Sequence, residues 1–108
     1  MTSTRDTGWT FLFVRGQSMR PTFGGVRRFA VARLGRTPRV GDVVVAVRPD
    51  RRDMRVIKRV TDRDSRGWWL ESDHERDLVQ ADSWLFGHVA DEDILGVVVW
   101  PSVSRRRP

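Results

Sequence analysis

The chain has 108 residues, enough for one domain with a single modest hydrophobic core. It contains no cysteine, which excludes disulfides, thiol nucleophiles and cysteine-bound zinc. The net charge of +6 would suit nucleic acid, anionic lipid or an acidic protein, but acidic residues alternate with the arginines almost throughout. We therefore favour an ordinary basic surface and expect no specific nucleic-acid partner.

Short apolar runs separated by glycine, proline and charged residues predict a mainly β domain, because no long segment has the 3.6-residue period of a helix. The predicted strands, in chain order, are Trp9–Val14, Phe29–Arg33, Asp42–Val47, Met54–Val60, Trp68–Glu71 and Ile94–Trp100. The expected connections include a polar turn over Asp62–Gly67, a compact apolar turn over Asp82–Gly87 and a single helical turn over Ala90–Asp93.

The polar ends of the chain predict flexible termini at residues 1–8 and 102–108 around one domain at residues 9–101. The apolar run Trp9–Val14 is much shorter than the roughly 20 residues of a spanning helix and than a signal peptide's apolar region. The chain as given is therefore expected to be soluble, with membrane contact peripheral at most.

A candidate nucleophile follows the first predicted strand. Gly16 permits backbone angles that other residues avoid, Ser18 lies just past the strand end, and Pro21 prevents regular pairing from resuming directly. A serine hydroxyl on such a turn acts as a nucleophile only if a base is within reach.

Lys58 is the candidate base, because it is the only lysine among 20 basic residues. Arginine keeps its proton in proteins, whereas a buried lysine can be neutral near pH 7. Strand alternation places Val56 and Val60 on the same face as Lys58, and these apolar neighbours would desolvate the amine. The alternatives are chance within an arginine-rich composition, or a surface lysine on an edge strand.

Other chemistries have weaker support. His74 or His88 could complete a Ser-His-Asp triad, but neither has a supporting motif. Asp73, His74 and Glu75 are consecutive, so their side chains diverge and make a poor metal site. We expect neither a metal nor a cofactor.

Four short motifs occur in order: Gly-x-Ser-Met-x-Pro-Thr at 16–22, Gly-Asp-Val-Val-Val at 41–45, Val-Ile-Lys-Arg-Val at 56–60, and Asp-Ser at 82–83 followed by Gly87. Together, over residues 12 to about 100, they resemble the conserved boxes of the signal peptidase I family of Ser-Lys peptidases. Small maturation proteases, such as those that process nickel-type superoxide dismutase, are similar in length and composition and act on a cytoplasmic precursor.

The resemblance implies a signal-peptidase-like β fold, shared with the self-cleaving repressors. It implies a serine endopeptidase that removes an N-terminal extension, a signal peptide or propeptide, from a precursor bound in extended form. Ser18 would be the nucleophile and Lys58 the general base. The oxyanion and nucleophile turn would comprise Gly16, Gln17 and Met19, and the supporting residues would be Pro21, Asp42, Gln80, Asp82 and Ser83. Apolar residues expected to rim the substrate site are Phe11, Phe13, Met19 and Phe23.

The chain departs from the family pattern in the last box. Ser72-Asp73-His74 stands where Gly-Asp-Asn is common, Trp84 replaces an arginine, and Gln80 occupies the place of a serine that orients the lysine. The alternative function is therefore a catalytically impaired peptidase-fold module that binds peptides or nucleic acid.

Overall fold

The computed structural model describes residues 8–14, 19, 29–73 and 82–101, and predictions that fall on other residues lie outside this description. The elements, in chain order, are β1 (Trp9–Phe13), β2 (Phe29–Leu34), β3 (Val43–Val47), β4 (Arg55–Asp64), β5 (Gly67–Glu71), α1 (Ser83–Phe86), a 3-10 turn (Asp91–Asp93) and β6 (Ile94–Trp100).

The strands form one six-stranded sheet in the order β1-β2-β6-β3-β4-β5, and every neighbouring pair is antiparallel. The last strand, β6, lies between β2 and β3 and so joins the two halves of the chain. The prediction of a mainly β single domain is confirmed. No helix within the described ranges is long and apolar enough to cross a membrane.

The central strand β3 has hydrophobic clusters on both faces. Val43 and Val45 belong to one cluster with Ala30, while Val44 and Ala46 belong to the other. Neighbouring β3 residues separate in this way because side chains alternate along a strand. Coverage on both faces explains why β3 is continuously apolar instead of alternating with polar residues.

Strand β4 is longer than predicted. It was expected to end at Val60, but it continues to Asp64 and turns at residues 65–66. A β-bulge between Val60 and Asp62 takes up one extra residue, after which pairing with β5 resumes. Polar residues continue the strand here because this end of the hairpin is largely exposed to solvent.

The expected turn over Asp82–Gly87 contains the short helix α1. The Asp82 carboxylate accepts a hydrogen bond from the Trp84 N–H at 3.0 Å and caps the helix start. Gly87, with φ of 80°, ends the helix. The helical turn predicted over Ala90–Asp93 is present as the 3-10 turn.

Candidate functional site

Lys58 lies in the middle of β4, which is hydrogen-bonded to β3 on one side and β5 on the other. It is opposite Val44, and the residue is only 4% exposed. Val56 and Val60 are buried in the cluster that contains Val44, as strand alternation predicted. The alternative of a surface lysine on an edge strand is therefore wrong.

The amine of Lys58 contacts a serine hydroxyl. Nζ donates a hydrogen bond to Ser72 Oγ at 3.0 Å. Ser72 follows β5 directly, and its own N–H donates to Asp82 Oδ2 at 3.2 Å. The hydroxyl of Ser83 accepts from the Leu70 N–H at 2.8 Å, so both residues of the Asp-Ser motif hold the end of β5. The Asp82-Ser83 motif thereby fixes the end of β5, next to which Ser72 meets Lys58.

Arg59, the next residue, makes a buried ion pair. Its guanidinium binds both carboxylate oxygens of Asp73 at 2.9 and 2.7 Å, and both side chains are 4% exposed. It also donates to the Gly41 carbonyl at 2.8 Å. The Val60 N–H donates to the Asp42 carbonyl at 2.8 Å. These contacts join the motif at 41–45, the lysine motif at 56–60 and the segment Ser72-Asp73.

Most of the predicted nucleophile turn, together with Gln80, lies outside the described residues: Gly16, Gln17, Ser18, Pro21 and Phe23 belong to this group. The neighbouring Val14 and Met19 are both buried in the cluster that contains Val43 and Val45. Met19 is 2% exposed, so the prediction that it rims the substrate site is wrong. Its long apolar side chain is instead part of this hydrophobic cluster.

An exposed aromatic face runs along β1, an edge strand of the sheet. Trp9, Phe11 and Phe13 alternate outward, and Phe11 is 82% exposed. Phe13 meets Phe29 of β2 edge to face, with ring centroids 5.4 Å apart. The predicted rim residues Phe11 and Phe13 are accessible, and a contiguous apolar face of this kind is typical of an interaction surface.

The remaining candidate residues lie elsewhere. His88 Nε2 is 3.3 Å from Asp64 Oδ2, and its ring contacts Trp69, while His74 lies outside the description. Trp84, which replaces the expected arginine, donates from its indole N–H to Glu71 at 3.1 Å. No cluster of three metal-ligating side chains occurs within the described ranges.

Ser72 was not predicted as a partner of Lys58, because the orienting contact was expected at the position of Gln80. A two-residue turn at 65–66 would have brought the segment after β5 near Lys58, but only the bulge sets Ser72 opposite it. Comparison with protein-family models, curated proteins and solved structures finds no match to this chain.

Proposed function

We propose that this protein is a serine endopeptidase of the signal-peptidase type, with Ser18 as nucleophile and Lys58 as general base. The observation that carries the proposal is the buried amine of Lys58, held at 3.0 Å by Ser72 Oγ between two paired strands. Burial disfavours the ammonium form, and a general base must be neutral to accept a proton.

The proposed reaction has two steps. Ser18 Oγ attacks the scissile carbonyl while its proton passes to Lys58 Nζ, and the resulting ammonium returns that proton to the leaving amine as the C–N bond breaks. Water then attacks the acyl-enzyme, again giving its proton to Lys58, and Ser18 leaves with that proton restored. The Ser18 backbone N–H would donate to the oxyanion. No cofactor takes part.

The substrate we propose is a precursor protein bound as an extended strand, with small residues one and three positions before the cut. Strand β1 lies at the edge of the sheet formed by the described residues, a position suited to strand addition, and Ser18 follows it in the sequence. Residues one and three before the cut would share a face, since side chains alternate. The resemblance to small maturation proteases favours a cytoplasmic precursor. Peripheral contact of the aromatic face with a membrane is the alternative setting.

The test uses a library of internally quenched peptides with alanine one and three residues before a variable position. Wild type should cleave a subset of these peptides, while Ser18→Ala and Lys58→Met should cleave none and remain folded by circular dichroism. Equal turnover by wild type and Ser18→Ala would exclude Ser18 as the nucleophile.

The exposed aromatic face favours one other candidate, a module that binds extended peptides without cutting them. In that case Ser18→Ala and wild type would bind the same peptides with equal affinity, and neither would release product. Phe11→Ser should weaken peptide capture under both functions, so cleavage is the result that separates them.

A further inference from the structure

The β4–β5 hairpin changes register close to Lys58. Next to its turn, Asp64 is opposite Gly67 and Arg63 is opposite Trp68. An uninterrupted ladder in this register would place Asp73 opposite Lys58. The β-bulge that leaves Thr61 as the extra residue shifts the pairing by one.

Beyond the bulge, Val60 is opposite Leu70 and Arg59 is opposite Glu71. The same register places Ser72 opposite Lys58, and the Nζ–Oγ distance of 3.0 Å agrees with it. The bulge therefore sets Ser72, and not Asp73, opposite Lys58 in the ladder.

This difference bears on the charge that the amine favours. A carboxylate within about 4–6 Å stabilises an ammonium ion, whereas a hydroxyl offers a hydrogen bond without a charge. The nearby carboxylate of Asp73 is held by two hydrogen bonds from Arg59, whose guanidinium also binds the Gly41 carbonyl. The Asp73 charge is thus matched by Arg59.

Ser72 is itself held in place. Its N–H donates to Asp82 Oδ2, and Asp82 is fully buried at the start of α1. Among the described residues, the charged groups on the elements next to Lys58 include Arg59 on β4, Glu71 on β5, Asp73 after β5, Asp82 before α1 and Asp42 before β3.

We infer that Ser72 is the positioning residue for Lys58 and that the β-bulge at Thr61 selects it over Asp73. The inference rests on the proposed peptidase function. Ser72 Oγ accepts one N–H of the amine and so fixes the direction of the amine's lone pair, which must receive the proton of the nucleophile.

The test compares Ser72→Ala, Ser72→Thr and Ser72→Asp with Ser65→Ala. Ser65 is exposed in the turn of the same hairpin and serves as the matched control. Two properties are measured: kcat and KM against pH on a peptide that wild type cleaves, and the pKa of Lys58 by ¹⁵N NMR. The NMR signal needs no assignment strategy, because Lys58 is the only lysine.

Ser72→Ala should lower kcat about 10- to 100-fold with KM unchanged, since a misdirected base costs rate and not binding. Loss of the acceptor should also move the pKa of Lys58 downward. Ser72→Asp should raise that pKa by about 1–3 units and confine activity to high pH. Ser72→Thr and Ser65→Ala should resemble wild type.

Folded Ser72→Ala and Ser72→Asp proteins with the wild-type pKa at Lys58 would overturn the inference. A lower melting temperature in Ser72→Ala with unchanged kcat would also overturn it, since Ser72 would then be only structural. If wild type cleaves no peptide while the pKa shifts occur as expected, the peptidase proposal fails but the positioning of the amine by Ser72 is supported.

Discussion

At the scale of single residues, the neighbouring basic side chains of Lys58 and Arg59 have different hydrogen-bond partners. Lys58 is buried against a neutral hydroxyl, whereas Arg59 is buried against a carboxylate. A guanidinium keeps its proton and suits a permanent ion pair, while an amine can exchange its proton with a substrate. The order of these two residues along β4 therefore matters for the proposed chemistry.

Lys58→Arg should be as inactive as Lys58→Met at every pH below about 10, because guanidinium cannot accept a proton. Wild-type kcat should rise with pH to a midpoint below about 10.4, the value for a solvated lysine, since burial favours the neutral amine. A pH–rate profile from 6 to 10 measures this. A flat profile or an active arginine variant would count against Lys58 as the base.

Asp73→Asn should destabilise the protein by about 3–5 kcal/mol, because it leaves the buried Arg59 charge without its carboxylate. Urea unfolding followed by tryptophan fluorescence measures the loss. Asp64→Asn is the matched control: it removes the exposed pair with Arg66, where solvent screening leaves little to lose. Equal effects of the two substitutions would contradict a special contribution from the buried pair.

At the scale of elements, the pairing of β6 with β2 depends on a close approach of the two backbones at Gly96. A Cβ added at Gly96 would lie 2.6 Å from the Arg33 carbonyl oxygen, so the backbone would have to shift. Gly96→Ala should cost about 1–3 kcal/mol, the usual range for overpacking. Amide hydrogen exchange should quicken in β2 and β6 and stay slow in β4 and β5. Uniform protection in the variant would contradict this.

Apolar and β-branched runs were sufficient to predict the strands, and the Ile94–Trp100 strand matches β6 throughout. The local sequence pattern could not predict that β4 continues through the polar residues Asp62 and Arg63, because this continuation depends on the bulge and on pairing with β5. Helix α1 was missed because four residues are too few to show a helical period. Ser72 was missed for a related reason: its contact depends on register, which sequence alone did not fix.

At the scale of the whole molecule, arginine–aspartate pairs on the surface make the free energy of unfolding depend on pH. The Arg66 hydrogen bond lowers the pKa of Asp64 from 3.8 to about 2, and Arg48 lowers the pKa of Asp50 in the same way. Hydrogen bonds from Arg63 and then Trp68 lower the pKa of Asp91.

These depressed pKa values mean that the folded state binds protons less readily than the unfolded chain. Their contribution to stability is present above about pH 4 and is lost as the pH falls toward 2. Urea midpoints measured from pH 5 to pH 2 should therefore decrease, and added salt should reduce the decrease because the pairs are exposed. A constant midpoint across this range would contradict the expectation.

The burial of a single lysine has a practical consequence for proteolysis. An endoproteinase that cuts only after lysine has one target in the chain, the Lys58–Arg59 bond, at the centre of a strand paired on both sides. Cutting requires the middle of the sheet to open, so at low protease concentration the cleavage rate follows the free energy of that opening. Two fragments, of 58 and 50 residues, should appear together and faster as urea is added. The chain thus contains its own single-site reporter of sheet opening.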